Sequence, residues 1–401
     1  MEKKSETIAK FKDKRILIWG YGREGKSTEH FLKENCAPAS IEVFEGKREE
    51  INEESYDYIF KSPGIVMEEE HPKYTSQTQV FLEAFADRTV GITGTKGKST
   101  TSTMLYRVLR ECTGRNVILL GNIGLPCLDY FNEITEDTVV VFEMSCHQLA
   151  HITVSPHVAV FLNLYEEHLD YYKTMAKYFA AKSNITKYQK ENDRFYVGEN
   201  VPAIETKAIT TVLTGRDLTP YTLKILGEHN LFNANTVAKI ALECFGAESE
   251  KIGESLASFE GLAHRLMCLG EKDGITYYDD SISTIPNATI AALSSVPKAQ
   301  TVLIGGMDRG IGYDVLEDFI RAHSEYQYIF MYASGKRIYE AVGPAENRYY
   351  EDDLNAAVLR AKQVTEKGYA CVLSPAAASY GYFKNFEERG DRFKELIYGE
   401  M

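Results

Sequence analysis

Gly91-Ile-Thr-Gly-Thr-Lys-Gly-Lys-Ser-Thr100 follows the short strand signal Thr89-Val90 and precedes a helical pattern from Thr101 to Leu109. A strand, a glycine turn and a helix start aim several backbone N–H groups at one point, which suits a phosphate. Lys98 adds a mobile positive charge, and Ser99 or Thr100 can offer a hydroxyl to Mg²⁺. A glycine turn that binds nothing would not need three glycines, a lysine and two hydroxyls together. The stretch therefore predicts an α/β domain organised around a nucleotide phosphate.

A second stretch competes with it. The pattern G-x-x-x-x-G-K-[ST] fails at residue 92, which is Ile, but fits Gly20-Tyr-Gly-Arg-Glu-Gly-Lys-Ser27, which also reads as G-x-G-x-x-G. The pattern alone favours the N-terminal loop, so the neighbouring residues must decide which loop holds a reacting phosphate.

The 401 residues allow two or three domains, and 44% hydrophobic with 26% charged residues is an ordinary globular composition. A formal net charge of -13 argues against nucleic acid and anionic membrane as partners. The seven cysteines show no C-x-x-C pair, which suggests reduced thiols in the cytosol. Residues 1–14 are charged and lack the apolar core of a signal peptide. No apolar run approaches membrane-spanning length.

Residues 15–20, 41–44 and 56–60 read as strands alternating with helices, hence as a parallel sheet. Ligands of such sheets gather at the strand carboxyl ends, where Gly20, Glu45 and Ser62 fall. A dinucleotide site, a nucleotide-diphosphate site and a packing turn are all open readings. A helix from about Thr78 to Ala86 closes this unit, with a boundary near Asp87. Beyond it, strands at 116–120, 138–142 and 158–162 end in Gly121-Asn-Ile-Gly124, Glu143-Met-Ser-Cys-His-Gln148 and Asn163-Leu-Tyr-Glu-Glu-His168-Leu-Asp170. Glu143 closing an apolar strand is the strongest metal signal, since a buried carboxylate needs a partner. His168 alone reads equally as a hydrogen-bonding loop residue. Lys182 lies in the helical stretch 174–188 among small and apolar neighbours, where burial would make its amine nucleophilic. Asn230 and Asn233 share a helix face and could read an adenine edge, or cap the helix. Strands are expected again at 277–281, 301–306, 328–331 and 370–373, and residues 374–390 as a long loop before a final helix.

Taken in order, Gly94–Thr100, Gly121–Gly124, Glu143-Met-Ser145, Glu167–Asp170, Ala180-Ala-Lys182, His229–Asn233, His264-Arg265, Asp279-Asp-Ser281 and Asn385-Phe-Glu-Glu-Arg-Gly390 closely resemble the Mur ligase family, over essentially the whole chain. The tail motif resembles that of the family's D-glutamate-adding branch.

The resemblance implies three α/β domains: a Rossmann-like parallel sheet (1–88) holding UDP, a central phosphate-loop ATPase-like domain (89–261) holding ATP and Mg²⁺, and a doubly wound Rossmann-like domain (262–401) for the amino acid. It implies a monomeric, cytoplasmic, ATP-dependent enzyme of peptidoglycan precursor synthesis. Such an enzyme joins D-glutamate to UDP-N-acetylmuramoyl-L-alanine through an acyl phosphate. Carried over residue by residue, Gly94, Thr95, Lys96, Gly97, Lys98, Ser99 and Thr100 would hold ATP, with Asn230, Asn233, Arg265 and Asp280. Ser99, Thr100, Glu143, His168 and Lys182 would serve Mg²⁺, Lys182 as a CO₂-derived carbamate. Lys98, Glu143, His168 and Lys182 would be catalytic. Gly22, Arg23, Glu45, Ser62, Pro63, Gly64, Asn122, Ser145 and Gln148 would face the UDP substrate, and Thr284, Arg309, Ser379 and Phe386 the D-glutamate. Lys26 would take no part in phosphoryl transfer.

The chain departs from the family pattern at Ile282, where many relatives have Lys, at Arg309, and at Cys146-His147. The alternatives are another amide ligase of the superfamily, a nicotinamide-dependent oxidoreductase using Gly20 to Gly25, and a noncatalytic nucleotide-binding regulator.

Overall fold

A computed structural model describes residues 2–67, 71–123 and 125–399. Gly124 of the Gly121–Gly124 run lies outside them. Three sheets follow one another along the chain. The first has four parallel strands: β1 (Arg15–Trp19), β2 (Ser40–Phe44), β3 (Tyr58–Lys61) and β4 (Tyr74–Thr75), in the order β2-β1-β3-β4.

The second sheet comprises β5 (Thr89–Thr93), β6 (Asn116–Gly121), β7 (Thr138–Glu143), β8 (Val158–Phe161), β9 (Arg194–Gly198) and β10 (Ile209–Leu213). Its order is β10-β9-β8-β5-β7-β6, again all parallel. Strands buried on both faces read as continuous apolar runs, and every residue of β5, β7 and β8 is buried. The chain builds β6 and β7 on one side of β5, then β8 to β10 on the other. That reversal leaves a crevice at the carboxyl ends of β5, β7 and β8.

These two sheets belong to one compact unit, residues 1–223 with 228–258. A shared core joins them: Phe131 packs against Phe31 and Phe85 at ring-centroid distances of 4.6 and 4.9 Å.

The second unit, residues 224–227 with 259–401, contains β11 (Met267–Lys272), β12 (Ile275–Asp279), β13 (Ala299–Ile304), β14 (Gln327–Met331), β15 (Arg348–Glu351) and β16 (Ala370–Leu373), in the order β11-β12-β16-β13-β14-β15. Side chains alternate between two cores, as a period of two requires. Leu303, Ile329, Met331 and Leu373 enter one, and Val302, Ile304, Tyr328 and Phe330 the other. Among these strands β11 alone is antiparallel, paired to β12. Asp273-Gly274 makes the turn with φ of 56° and 87°, the positive pair a tight hairpin needs.

The structure shortens one expected loop. The run after β16 ends at Asn385, whose side chain accepts the Glu388 N–H at 2.9 Å and starts the helix Phe386–Tyr398. Phe386 to Gly390 are therefore helical, because an N-cap there satisfies a free donor of the first turn.

Candidate phosphate and metal site

The two glycine loops differ in how soon the helix begins. After β1, only Gly20, Tyr21 and Gly22 intervene before the helix Arg23–Asn35, so Gly25, Lys26 and Ser27 are helical. Gly25 and Ser27 are buried, while Lys26 is exposed, 5.8 Å above the Tyr21 ring. Gly20 instead meets the end of β3, its carbonyl accepting Ser62 Oγ at 2.8 Å. After β5, Gly94, Thr95, Lys96 and Gly97 all precede the helix Lys98–Thr113. Gly97 takes φ 85°, and a Cβ there would stand 3.0 Å from Asn233 Oδ1, so the bend requires glycine. The end of β8 holds this loop open: Asn163 O accepts the Thr95 N–H at 3.0 Å and Asn163 Oδ1 the Lys96 N–H at 2.9 Å.

Three charged side chains converge on the second loop. Lys98 Nζ donates to the carbonyls of Gly94 and Thr95, both at 3.0 Å. Burial pulls its pKa down, while Glu143 and Glu167 oppose that. Lys182, 1% exposed on the helix Met175–Lys187, donates to the Gly94 carbonyl at 2.8 Å. Burial, then the nearby Lys98 cation, lowers its pKa to about 7. Glu143, the last residue of β7, is 1% exposed; Oε1 accepts from Asn122 Nδ2 at 2.8 Å, and Oε2 is buried with no hydrogen-bond partner. Thr100 is buried in the first turn of the loop's helix, and Ser99 is partly exposed.

A carboxylate oxygen buried without a hydrogen-bond partner is costly; Lys98 and Lys182 lend it charge at a distance but neither donates to it, which leaves it open to a further cation. An oxygen donor beside hydroxyls and a phosphate loop fits Mg²⁺, which takes a few protein oxygens and fills the rest with phosphate and water. Among the described residues no group of three or more His, Cys, Asp and Glu side chains is placed to hold a metal. The fit therefore rests on Glu143 with the hydroxyls rather than on a closed protein cage. His168 is exposed, with φ 58°, where the short helix Leu169–Tyr172 begins. Its ring lies 5.1 Å from His147 and 6.0 Å from Tyr178.

Several expected ligand residues are engaged within the protein. Ser145 caps the short helix Cys146–Leu149 with Gln148, whose Nε2 donates to Glu24 Oε1 at 2.9 Å. Burial raises the Glu24 pKa against that bond and the Lys61 cation. Asn230 and Asn233 are buried and bonded to each other at 3.3 Å, with Asn233 against the phosphate loop. Gly22 and Glu45 are exposed, Ser62 begins the turn after β3, and Pro63 and Gly64 follow.

In the second unit, Asp280 accepts from Leu266 N at 3.1 Å and from Ser374 Oγ at 2.8 Å, as well as from Ser283. Burial raises its pKa to about 6. Arg309 donates to the Thr284 carbonyl at 3.0 Å, bringing two expected D-glutamate residues together. Ser379 is buried, and the Phe386 carbonyl accepts Ser281 Oγ at 2.8 Å. Sequence reasoning missed Arg389, 0% exposed, which donates to the carbonyls of Ser281 and Ala377 at 2.6 and 3.1 Å. It also missed Asn163, whose type and place at a strand end were the available signal.

Fold and site together define an α/β protein whose central sheet carries a glycine loop flanked by two lysines and a buried carboxylate. The chain matches the Mur ligase middle domain over residues 92–211. It is 32% identical to the UDP-N-acetylmuramoylalanine--D-glutamate ligase of Acetivibrio thermocellus, over 86% of this chain and 83% of that one. The corresponding Oenococcus oeni protein is 31% identical over 96% and 97%. A Micromonospora protein named UDP-N-acetylmuramoyl-L-alanine--L-glutamate ligase is also 31% identical, over 97% and 98%. The chain belongs to the Mur ligase family. Its fold is shared with MurF ligase from Thermotoga maritima in complex with ADP, at a TM-score of 0.61 and 17% identity, covering 96% and 94% of the two chains. Among the described residues no helix is long and apolar enough to cross a membrane.

Proposed function

We propose that this ligase uses ATP to join D-glutamate to UDP-N-acetylmuramoyl-L-alanine in peptidoglycan precursor synthesis. The observation that carries the reading is the convergence of Lys98, Lys182 and the unpartnered Glu143 oxygen on the Gly94–Thr100 loop. In this reading residues 1–88 grip the UDP end, 89–261 hold ATP, and 262–401 receive the amino acid.

The carboxylate of the lactoyl-L-alanine arm attacks the γ-phosphorus and ADP departs, leaving an acyl phosphate. The amine of D-glutamate then adds to that carbonyl, phosphate leaves, and the amine's proton passes to solvent or phosphate. Both steps build negative charge in a site that must be pre-arranged, so the protein's contribution is placement and electrostatics. Lys98 neutralises phosphate charge. Glu143 and Ser99 or Thr100, with His168 and a carbamylated Lys182, would hold Mg²⁺, which when bound screens the phosphate oxygens. Asn122, Ser145 and Gln148 orient the muramoyl side; Thr284, Arg309, Ser379 and Phe386 orient D-glutamate; Arg265 and Asp280 serve the nucleotide.

L-glutamate is the second reading, favoured by the name of the Micromonospora relative. The test is ADP release with ATP and UDP-N-acetylmuramoyl-L-alanine, comparing D-glutamate, L-glutamate, L-alanine and diaminopimelate. The reading expects release with D-glutamate; release with another of these in its place overturns the specificity.

A further inference from the structure

Among the described residues, the segments that follow the strands of the first sheet reach across to the second at several points, two of which lie beside the glycine turn and the Ser62 turn. One is the Glu24–Gln148 bond. The other centres on a main-chain oxygen. The carbonyl of Ile65, just past Ser62-Pro63-Gly64, accepts Lys61 Nζ at 2.7 Å and Tyr171 Oη at 3.0 Å. Lys61 is 5% exposed and also donates to the Ser62 carbonyl at 3.2 Å. The Glu24 carboxylate lies within electrostatic reach of this buried ammonium group, and its hydrogen bonds go to the turn's own main chain.

Tyr171 lies in the short helix that His168 starts, and its N–H donates to the His168 carbonyl at 3.1 Å. Its ring stands edge-on to His147 at 4.4 Å, and His147 in turn lies 5.1 Å from His168. Displacing Tyr171 therefore displaces the His168 backbone and the ring packed beside it. A carbonyl has two lone pairs, so it can take both donors, and each fixes the direction left for the other.

We propose that Lys61 and Tyr171 are positioning residues that tie the UDP-gripping turn to the His168 turn through the Ile65 carbonyl. Neither touches the reacting atoms. The joint makes a firm grip on the UDP handle and the placement of His168 parts of one arrangement. The inference rests on the functional reading above.

Tyr171→Phe keeps the ring and removes the bond; Lys61→Met keeps most of the volume and removes the donor. Each should raise the KM for UDP-N-acetylmuramoyl-L-alanine and lower kcat, both by about fivefold, the size of one lost hydrogen bond. The KM for the amino acid should stay within about twofold and thermal stability should be nearly unchanged. The double variant should be little worse than the more damaged single one, because both act through one oxygen. Tyr171→Phe with wild-type KM and kcat, effects that multiply, or all constants moving with a falling Tm would overturn the proposal. Failure of the wild-type chain to ligate would count against the functional reading alone. Calorimetry with UDP then judges the joint: weaker, non-multiplicative binding supports it, and unchanged affinity or no UDP binding by the wild-type chain overturns it.

Discussion

The amines of Lys98 and Lys182 donate to the same oxygen, the carbonyl of Gly94, over 3.0 and 2.8 Å. Two cations on one buried carbonyl repel each other, and the pair is relieved when one amine is neutral. For Lys182, burial first and Lys98 second bring the pKa to about 7; burial lowers Lys98 as well. The glycine loop is thus flanked by two amines that burial pulls below the ordinary lysine value, and that of Lys182 comes down to about 7.

That shift has a stability signature. The ordinary lysine value is 10.5, so between about 7 and 10.5 the unfolded chain binds a proton that the folded chain has released. The group opposes folding most at low pH, and its penalty fades as pH rises through this window. Lys182→Met should therefore have a higher Tm than the wild type at pH 6.5, with the gap narrowing by pH 9.5. Differential scanning at the two pH values, without bicarbonate, checks this.

The same neutral amine can add CO₂. Carbon-13 spectra with labelled bicarbonate should show a carbamate signal that grows from pH 6 to 8 and is absent from Lys182→Met. Lys182→Ala should lose ligation that bicarbonate does not restore, whereas a small added carboxylate should restore part of it. Unchanged activity in that variant would remove the carbamate role.

Glu143→Gln keeps an acceptor for Asn122 and removes a buried charge. Turnover should fall by about a hundredfold or more, a barrier increase of about 2.7 kcal/mol. The Tm in EDTA should hold or rise, since the unpaired carboxylate costs free energy in the folded state. Loss of both activity and several degrees of Tm would make Glu143 structural.

Gly390 is a packing prediction independent of function. A Cβ there would lie 2.0 Å from His264 Nδ1 and 2.5 Å from Asp279 Oδ2, two residues that bond each other at 2.7 Å. Gly390→Ala should destabilise the second unit by about 2 kcal/mol, as overpacking does. Denaturant unfolding followed by fluorescence checks it, and a wild-type midpoint would contradict it.

The apolar runs of β5, β7 and β8 and the residues that end them were legible because strands buried on both faces carry an unbroken signal. Glu143 stood out because a carboxylate ending such a run has few bland explanations, Lys98 because it follows a glycine loop, and Lys182 because its helical neighbours are small and apolar. The Asp273-Gly274 hairpin carried a local signal that went unread. The helix start at Asn385 hid behind a stretch of small and aromatic residues, 374–384, that resembled a long loop. Lys61, Tyr171 and Arg389 were not recoverable as site residues. Their partners are main-chain carbonyls distant in sequence, or set by a turn, and no side-chain pattern reports those. The rivalry between the two glycine loops turned on where each helix begins, and a one-residue difference in loop length is finer than a motif resolves.

Nucleotide binding by Lys98→Ala and Lys26→Ala tests that last point, on which the whole account depends. Titration calorimetry with ATP and Mg²⁺ should show binding lost in Lys98→Ala and retained in Lys26→Ala. Turnover of the latter should stay within about tenfold of wild type, a barrier change of roughly 1.4 kcal/mol. Binding retained by Lys98→Ala and lost by Lys26→Ala would place the triphosphate at the N-terminal loop and contradict the account.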